Sequence, residues 1–240
     1  MSQIYRFIVD SSRKKRGEWF RNYMALGKDE KVLDLGGNRG RHMAGLVQFR
    51  ENVTIADISK DALAEAKEKY GFNIALLKKN SVLPFPDKSF DVVFCNSVIE
   101  HVSIDEKEVW NVKKGKDFKK LSLINQKKFA DEIRRIGKKY FVQTPNKYFI
   151  FEPHVRLPYE SFKEDPAGFI NYLPRPVLIQ LLKYMRKLLV SQKYRIVRYA
   201  PSYNLLGKKD LRYLFPDAII KTEKFLFMDK SYVAIKSDGI

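Results

Sequence analysis

Between residues 4 and 26 the apolar side chains Tyr5, Ile8, Trp19, Phe20, Tyr23 and Leu26 recur among basic ones at roughly helical spacing, which predicts helices leading into a domain. Lys31-Val32-Leu33-Asp34-Leu35 is then a short apolar run that stops at Gly36-Gly37. A run of that length bounded by glycine predicts a buried strand. The pattern continues as a helix over 41–49, a strand over 53–56 and a helix over 59–70. In this last helix Ser59 is placed to cap the N-terminus, and Ala62, Leu63 and Ala66 form the inward face. Further strands are predicted at 74–77, 91–94 and 140–143, with a helix over 126–136 between the last two.

Strands alternating with helices imply a doubly wound α/β domain whose mostly parallel sheet carries helices on both faces. Right-handed crossovers then set the basic topology. After Thr144-Pro145-Asn146 the alternation stops. Residues 145–176 are rich in proline and aromatics and predict an irregular insertion over the ligand end of the sheet. Val177–Val190 reads as a basic amphipathic helix. Residues 218–227 and 231–235 read as two strands joined by a turn at Met228-Asp229-Lys230, an antiparallel hairpin that completes seven strands. The chain divides as one domain: N-terminal helices (1–30), a core (31–144), an insertion with its helix (145–209) and the terminal hairpin (210–240).

Composition narrows the class. The chain has 240 residues, 45% hydrophobic and 31% charged, which suits one domain with a substantial core. With 12 Gly and 10 Pro, collagen-like and low-complexity readings fail. The single cysteine, Cys95, cannot form an internal disulfide or a multi-cysteine zinc site, and no metal is expected. The residues after Met1 lack the apolar core of a secretion signal, and no run is long enough to span a bilayer, so a cytoplasmic protein is expected.

The formal net charge is +18. Such an excess suits nucleic acid, an anionic membrane surface or an acidic substrate. The basic residues are spread along the chain, with denser stretches at 13–16 and 113–139. The helix over 177–190 sets Val177, Leu178, Leu181, Leu182, Met185, Leu188 and Leu189 against Lys183, Arg186 and Lys187. Its apolar stripe can pack on its own domain, or both faces together can contact an anionic membrane peripherally.

Two motifs fall at strand ends, where open α/β sheets bind ligands. Asp34-Leu35-Gly36-Gly37-Asn38-Arg39-Gly40 is an acid followed by a glycine-rich turn from strand into helix. Glycines there let the backbone turn sharply and approach a ligand closely, and Asn38 also tolerates the left-handed region. The dinucleotide pattern G-x-G-x-x-G is broken at Asn38 and Arg41, which weakens a nicotinamide dehydrogenase reading. Asp57, at the end of the second strand, lies some twenty residues beyond the first glycine, the spacing at which an acid accepts hydrogen bonds from ribose hydroxyls.

The third stretch carries a family resemblance. Leu83-Pro84-Phe85, Phe90-Asp91 at the start of the fourth strand and Glu100-His101 after it resemble the class I S-adenosylmethionine-dependent methyltransferases, the type 11 group. The likeness covers 31–102. A looser one, over Gln143-Thr144-Pro145-Asn146, Glu152-Pro153-His154, 211–218 and 230–235, resembles a branch of bacterial surface-polysaccharide and lipid pathways. Residues 103–125 have no counterpart and look like an added loop. The family's adenine-contacting acid falls at Asn80, whose amide oxygen can still accept from the exocyclic amine.

The resemblance implies S-adenosylmethionine as cofactor, held by Asp34, Gly36, Gly37, Asn38, Gly40, Asp57, Ile58, Asn80, Ser81 and Asn96. It implies methyl transfer, at oxygen, to a small-molecule, saccharide or lipid-linked acceptor. His101 and His154 are the candidate bases. The Asn96-Ser97-Val98-Ile99 stretch departs from the Asn/Asp-Pro-Pro-aromatic run of DNA amino-methylating relatives. RNA methylation on the basic surface, or a non-catalytic binding protein of the same fold, are the alternatives.

Overall fold

The computed structural model describes residues 3–79, 82–105, 107–149, 173–190, 202–225 and 227–238. Its strands are β1 Val32–Leu35, β2 Val53–Asp57, β3 Asn73–Leu76, β4 Phe90–Asn96, β5 Gly137–Pro145, β6 Ile219–Phe225 and β7 Met228–Lys236. Its helices are α1 Gln3–Met24, α2 Arg41–Ala44, α3 Lys60–Tyr70, α4 Gly115–Ile136, α5 Arg175–Val190 and α6 Lys208–Leu214, with a 3-10 turn at Ile99–His101.

The strands form one seven-stranded sheet in the order β3-β2-β1-β4-β5-β7-β6. β1 to β5 run parallel, with Leu33 beside Thr54 and Val93, and Val93 beside Tyr140. β7 enters antiparallel between β5 and β6, pairing Ala234 with Val142 and with Ile220. The expected α/β sheet with a C-terminal antiparallel hairpin is therefore the observed one.

Side chains alternate across a strand, and β4 shows what that does here. Val92 and Phe94 enter a core layer with Phe20, Met24, Met43, Leu63 and Phe141. Val93 and Cys95 point the other way, into a layer with Leu33, Leu35, Ile133, Tyr140 and Leu211. On the first face Phe20 of α1 meets Phe94 edge-on at 5.0 Å, and Phe94 stacks on Phe141 at 5.6 Å. A buried ion pair pins α1 further along, with Arg16 Nη1 3.0 Å from Glu223 Oε2 of β6. Reversal of strand order between β1 and β4 opens a crevice at their carboxyl ends, the usual ligand position in such sheets.

Several elements differ from the expected ones. α1 is one helix rather than several. α2 stops at Ala44, not Phe49, because Gly45 ends it and Leu46 and Val47 pack against the core instead. α4 begins at Gly115, so half of the expected 103–125 loop is helix. The reason is visible in its buried face, Phe118, Ser122, Gln126, Ala130 and Ile133, which is continuous at helical spacing but polar at two positions. Met228, Asp229 and Lys230 belong to β7 rather than to a turn, and the last pair of the hairpin is Phe225 with Met228. Helix α6, within the expected hairpin segment, was not foreseen.

α5 starts one residue after Pro174 and is anchored by Arg175. That guanidinium lies 3.6 Å over the Phe118 ring and donates to the carbonyls of Val112 (2.6 Å) and Val109 (2.9 Å). Ile179 and Leu182 of its apolar stripe are buried, whereas Val177, Lys183 and Tyr184 are exposed. No helix among the described residues is long and apolar enough to cross a membrane. The insertion residues 150–172, with Glu152 and His154, lie outside the described residues.

Candidate active site

The site begins where β1 runs out. Gly36 has φ +75 and its N–H donates to Ala56 O of β2 at 2.7 Å. A Cβ at Gly36 would sit 2.4 Å from Val98 Cγ2, so the turn needs glycine for both its backbone angle and its space. Asn38 (φ +51) and Gly40 (φ +66) continue the left-handed path. A Cβ on Gly40 would meet Phe72 at 2.9 Å, so the loop lies tight on the core as it enters α2.

Asp57 ends β2 half-buried, and its carboxylate joins two loops. Oδ2 accepts from the Asn38 N–H at 2.9 Å and Oδ1 from the Ser59 N–H at 2.9 Å. A carboxylate has about four lone-pair directions, so two contacts leave it able to accept from a ligand. Ile58 beside it is 59% exposed, an apolar side chain at the rim. Ser59 caps α3 as expected, its hydroxyl accepting from the Ala62 N–H.

Asp34 lies beneath this loop. It is 2% exposed, and its Oδ2 has no hydrogen-bond partner among the described residues. A Cβ on Gly37 would come within 2.4 Å of that oxygen. Burial, and then the neighbouring Asp57 charge, push the Asp34 carboxyl up to about 7. Asn96, at the end of the adjacent strand β4, likewise has a buried Oδ1 with no partner among the described residues. Two buried acceptors left open beside a glycine cradle and an acceptor carboxylate are suited chemically to a ligand rich in donors. S-adenosylmethionine, with its ammonium, ribose hydroxyls and adenine amine, fits that donor set. Asn80 and Ser81 lie outside the described residues.

The other wall is built after β4. Ser97 (φ +56) reverses the chain, its N–H donating to Gln143 O at 3.0 Å and its hydroxyl to Gln143 Oε1 at 2.7 Å. The 3-10 turn follows, burying Glu100 completely, where its Oε2 accepts from Thr144 Oγ1 at 3.3 Å. His101 is exposed at this end, its ring edge-on to Tyr203 at 4.8 Å.

Asn204, next to Tyr203, is held by a clamp. Buried Gln126 of α4 donates to Ile99 O (2.9 Å) and Asn204 O (3.0 Å), and accepts from Asn204 Nδ2 at 2.7 Å. Asn204 N–H in turn donates to Glu100 O at 3.0 Å. The strand ends thus gather Asp34, the 36–40 loop, Asp57, Asn96 and His101. Thr144, from the Gln143–Asn146 stretch already singled out, joins them, as do Gln126, Tyr203 and Asn204 with nothing local in the sequence to mark them; Tyr203 is some hundred residues from His101. Cys95 is fully buried and its thiol is pushed well above the ordinary value by burial, then by the charges of Glu100 and Asp34, so it is no nucleophile near neutral pH.

Residues 33–139 match the family described as "Methyltransferase domain". A curated relative from Haemophilus influenzae is 29% identical over 102 residues, which is 40% of this chain and 41% of that protein. The match thus spans well under half of the relative's length. Among solved structures, a Pyrococcus horikoshii protein superposes with a TM-score of 0.53 at 17% identity, covering 98% of this chain and 91% of that one. A Haloferax volcanii complex containing the Trm112 methyltransferase activator superposes at 0.51 with 12% identity, covering 96% of this chain and 92% of that one. These likenesses concern the fold.

Over residues 33–139 the sequence is thus similar to a methyltransferase domain, and the chain shares the α/β Rossmann-like fold of these structures.

Proposed function

We propose that the chain methylates an oxygen of a small-molecule, saccharide or lipid-linked acceptor, with the cofactor held over the Gly36–Gly40 loop. The observation that carries this reading is the open carboxylate of Asp57 across from the buried, unpartnered Asp34 oxygen, with the glycine loop between them. Asp57 would take the ribose hydroxyls. Asp34 and Asn96 would face the remaining donors, and Ile58 would cover an apolar face. Asn80 and Ser81 would serve the adenine.

Bound there, S-adenosylmethionine supplies an electrophilic methyl group on a sulfonium. What the chain must add is alignment and dryness, because an in-line displacement depends chiefly on positioning and on exclusion of water. The turn after β4, braced by Ser97–Gln143 and Glu100–Thr144, would hold the acceptor's approach. A hydroxyl acceptor must also lose its proton. His101, exposed at the strand ends with its ring edge-on to Tyr203, would receive it, and His154 is the second candidate.

Mass spectrometry of extracted glycolipid, RNA and small-metabolite pools, incubated with protein and S-adenosylmethionine, tests the acceptor class. The expected result is a mass gain of one methyl group, alkali-stable as in an ether, in the glycolipid or small-metabolite pool. A gain confined to RNA, or to nitrogen of any acceptor, would overturn it.

A further inference from the structure

The lysine-rich stretch 113–139 is unexplained by the methyltransferase fold, and the structure gives its first half a shape. It is the start of α4, and its packed face holds Phe118, Ser122 and Gln126. The opposite side carries Leu121, 42% exposed, and Ile124, 46% exposed. At helical spacing Leu121, Ile124 and Lys128 share one stripe, and Lys116 and Lys120 line the next. Lys113, Lys114, Lys116, Lys120 and Lys128 are all exposed, and between residues 113 and 128 the only acid is Asp117.

This surface sits at the reactive end of the molecule. β4 and β5 are parallel, so α4, which joins them, runs back against the strand direction. Its first half therefore lies by the carboxyl ends of the strands. Gln126 marks the level, since its side chain reaches Ile99 O in the turn that carries His101. Lys119 is engaged elsewhere, 2.9 Å from Asp210 of α6, and Lys127 pairs with Asp131.

We propose that the outer face of α4, with Leu121 and Ile124 set among Lys113, Lys114, Lys116, Lys120 and Lys128, docks the protein on an anionic lipid surface with the acceptor site turned toward it. Exposed aliphatic side chains inside a field of lysines match a bilayer interface, where apolar groups enter the headgroup region and cations meet anionic lipid. A phosphate backbone would reward the lysines but leave Leu121 and Ile124 idle. α5 suits the role less, because Ile179 and Leu182 of its apolar stripe are already buried in the protein. The proposal rests on the methyltransferase reading only for its use: such docking would bring a lipid-linked acceptor to the site.

The test is flotation of the full chain with vesicles of phosphatidylcholine alone, and of phosphatidylcholine with an equal part of phosphatidylglycerol. Two variants accompany it, Lys116→Glu/Lys120→Glu and Leu121→Ser/Ile124→Ser, both checked for native circular dichroism and for S-adenosylmethionine binding by calorimetry. Binding is expected to the anionic vesicles only, to weaken as salt rises, to fall roughly tenfold or more in the charge variant and to fall also in the serine variant. The proposal is overturned by absence of vesicle binding at low salt, by equal binding to both lipids, or by retention of binding in both variants. Polyuridylate binding that is lost in the charge variant and kept in the serine variant, with vesicles ignored, would make the face an RNA surface and overturn it as well. Since cofactor binding is read on the same samples, failure of the docking face and failure of the methyltransferase reading are distinguishable.

Discussion

The carboxylate of Asp57 accepts the backbone N–H of Asn38 at 2.9 Å, tying the end of β2 to the loop that follows β1. One residue thereby shapes the glycine loop and keeps an open acceptor toward it. Asp57→Ala should weaken S-adenosylmethionine binding by about 1.5–3 kcal/mol, the range for hydrogen bonds to a charged group. Calorimetry on a variant that keeps its circular dichroism is the measurement. Unchanged affinity would remove Asp57 from the cofactor site.

Gly36 is a second point of leverage. Its φ of +75 strains any L-residue, and a Cβ would meet Val98 at 2.4 Å. Gly36→Ala should destabilise the fold by roughly 1–3 kcal/mol and shift the turn that ends at His101. A lowered midpoint in thermal unfolding is the expected result; an unchanged midpoint would mean that the loop and the turn after β4 are not packed as described.

Asp34 makes the stability of the cofactor-free protein depend on pH. Its carboxyl is raised to about 7 in the fold, against an ordinary carboxylate value near 4 when unfolded. Between those values the folded state holds a proton that the unfolded chain has lost, so this group's contribution falls as pH rises from about 4 to about 7 and is level above that. Asp34→Asn should lack the decline. The comparison is of wild-type and variant unfolding midpoints across that range; parallel curves would show that Asp34 ionises normally.

His101 is the prediction closest to chemistry. If it takes the acceptor's proton, His101→Ala should slow methyl transfer by roughly 10²–10⁴-fold with cofactor affinity unchanged. Tyr203→Phe should keep most activity, because the ring and not the hydroxyl meets His101 edge-on. Single-turnover kinetics on both variants would show it. Less than a tenfold loss in His101→Ala would leave positioning as the sole contribution and shift attention to His154.

How much of this was legible in the chain follows from how local each feature is. Gly36, Asn38, Gly40 and Asp57 could be read because a tight turn and a strand end write their demands into neighbouring residues. The strand cores were equally plain, since β1 and β4 are buried on both faces and need unbroken apolar runs. α4 was half hidden because, ahead of Gln126 where the expected helix begins, Ser122 interrupts the apolar stripe of its buried face among exposed lysines. Gln126's partners are Ile99 and Asn204, distant in sequence. Tyr203 was unreadable for the same reason: its neighbour Asn204 is held by a clamp closed only by the folded chain. α2 ended early because the packing of Leu46 and Val47 outweighed their helical spacing.

The account turns on the glycine loop and Asp57 being where the cofactor sits. A crystal structure of the full chain grown with S-adenosylhomocysteine, the demethylated cofactor, measures this most directly. It should show the ligand over residues 36–40 with its ribose hydroxyls within hydrogen-bond distance of Asp57 and its methionyl end toward Asp34. Ligand bound elsewhere on the chain, or a folded protein that binds the nicotinamide dinucleotide at that loop and leaves S-adenosylhomocysteine in solution, would contradict it.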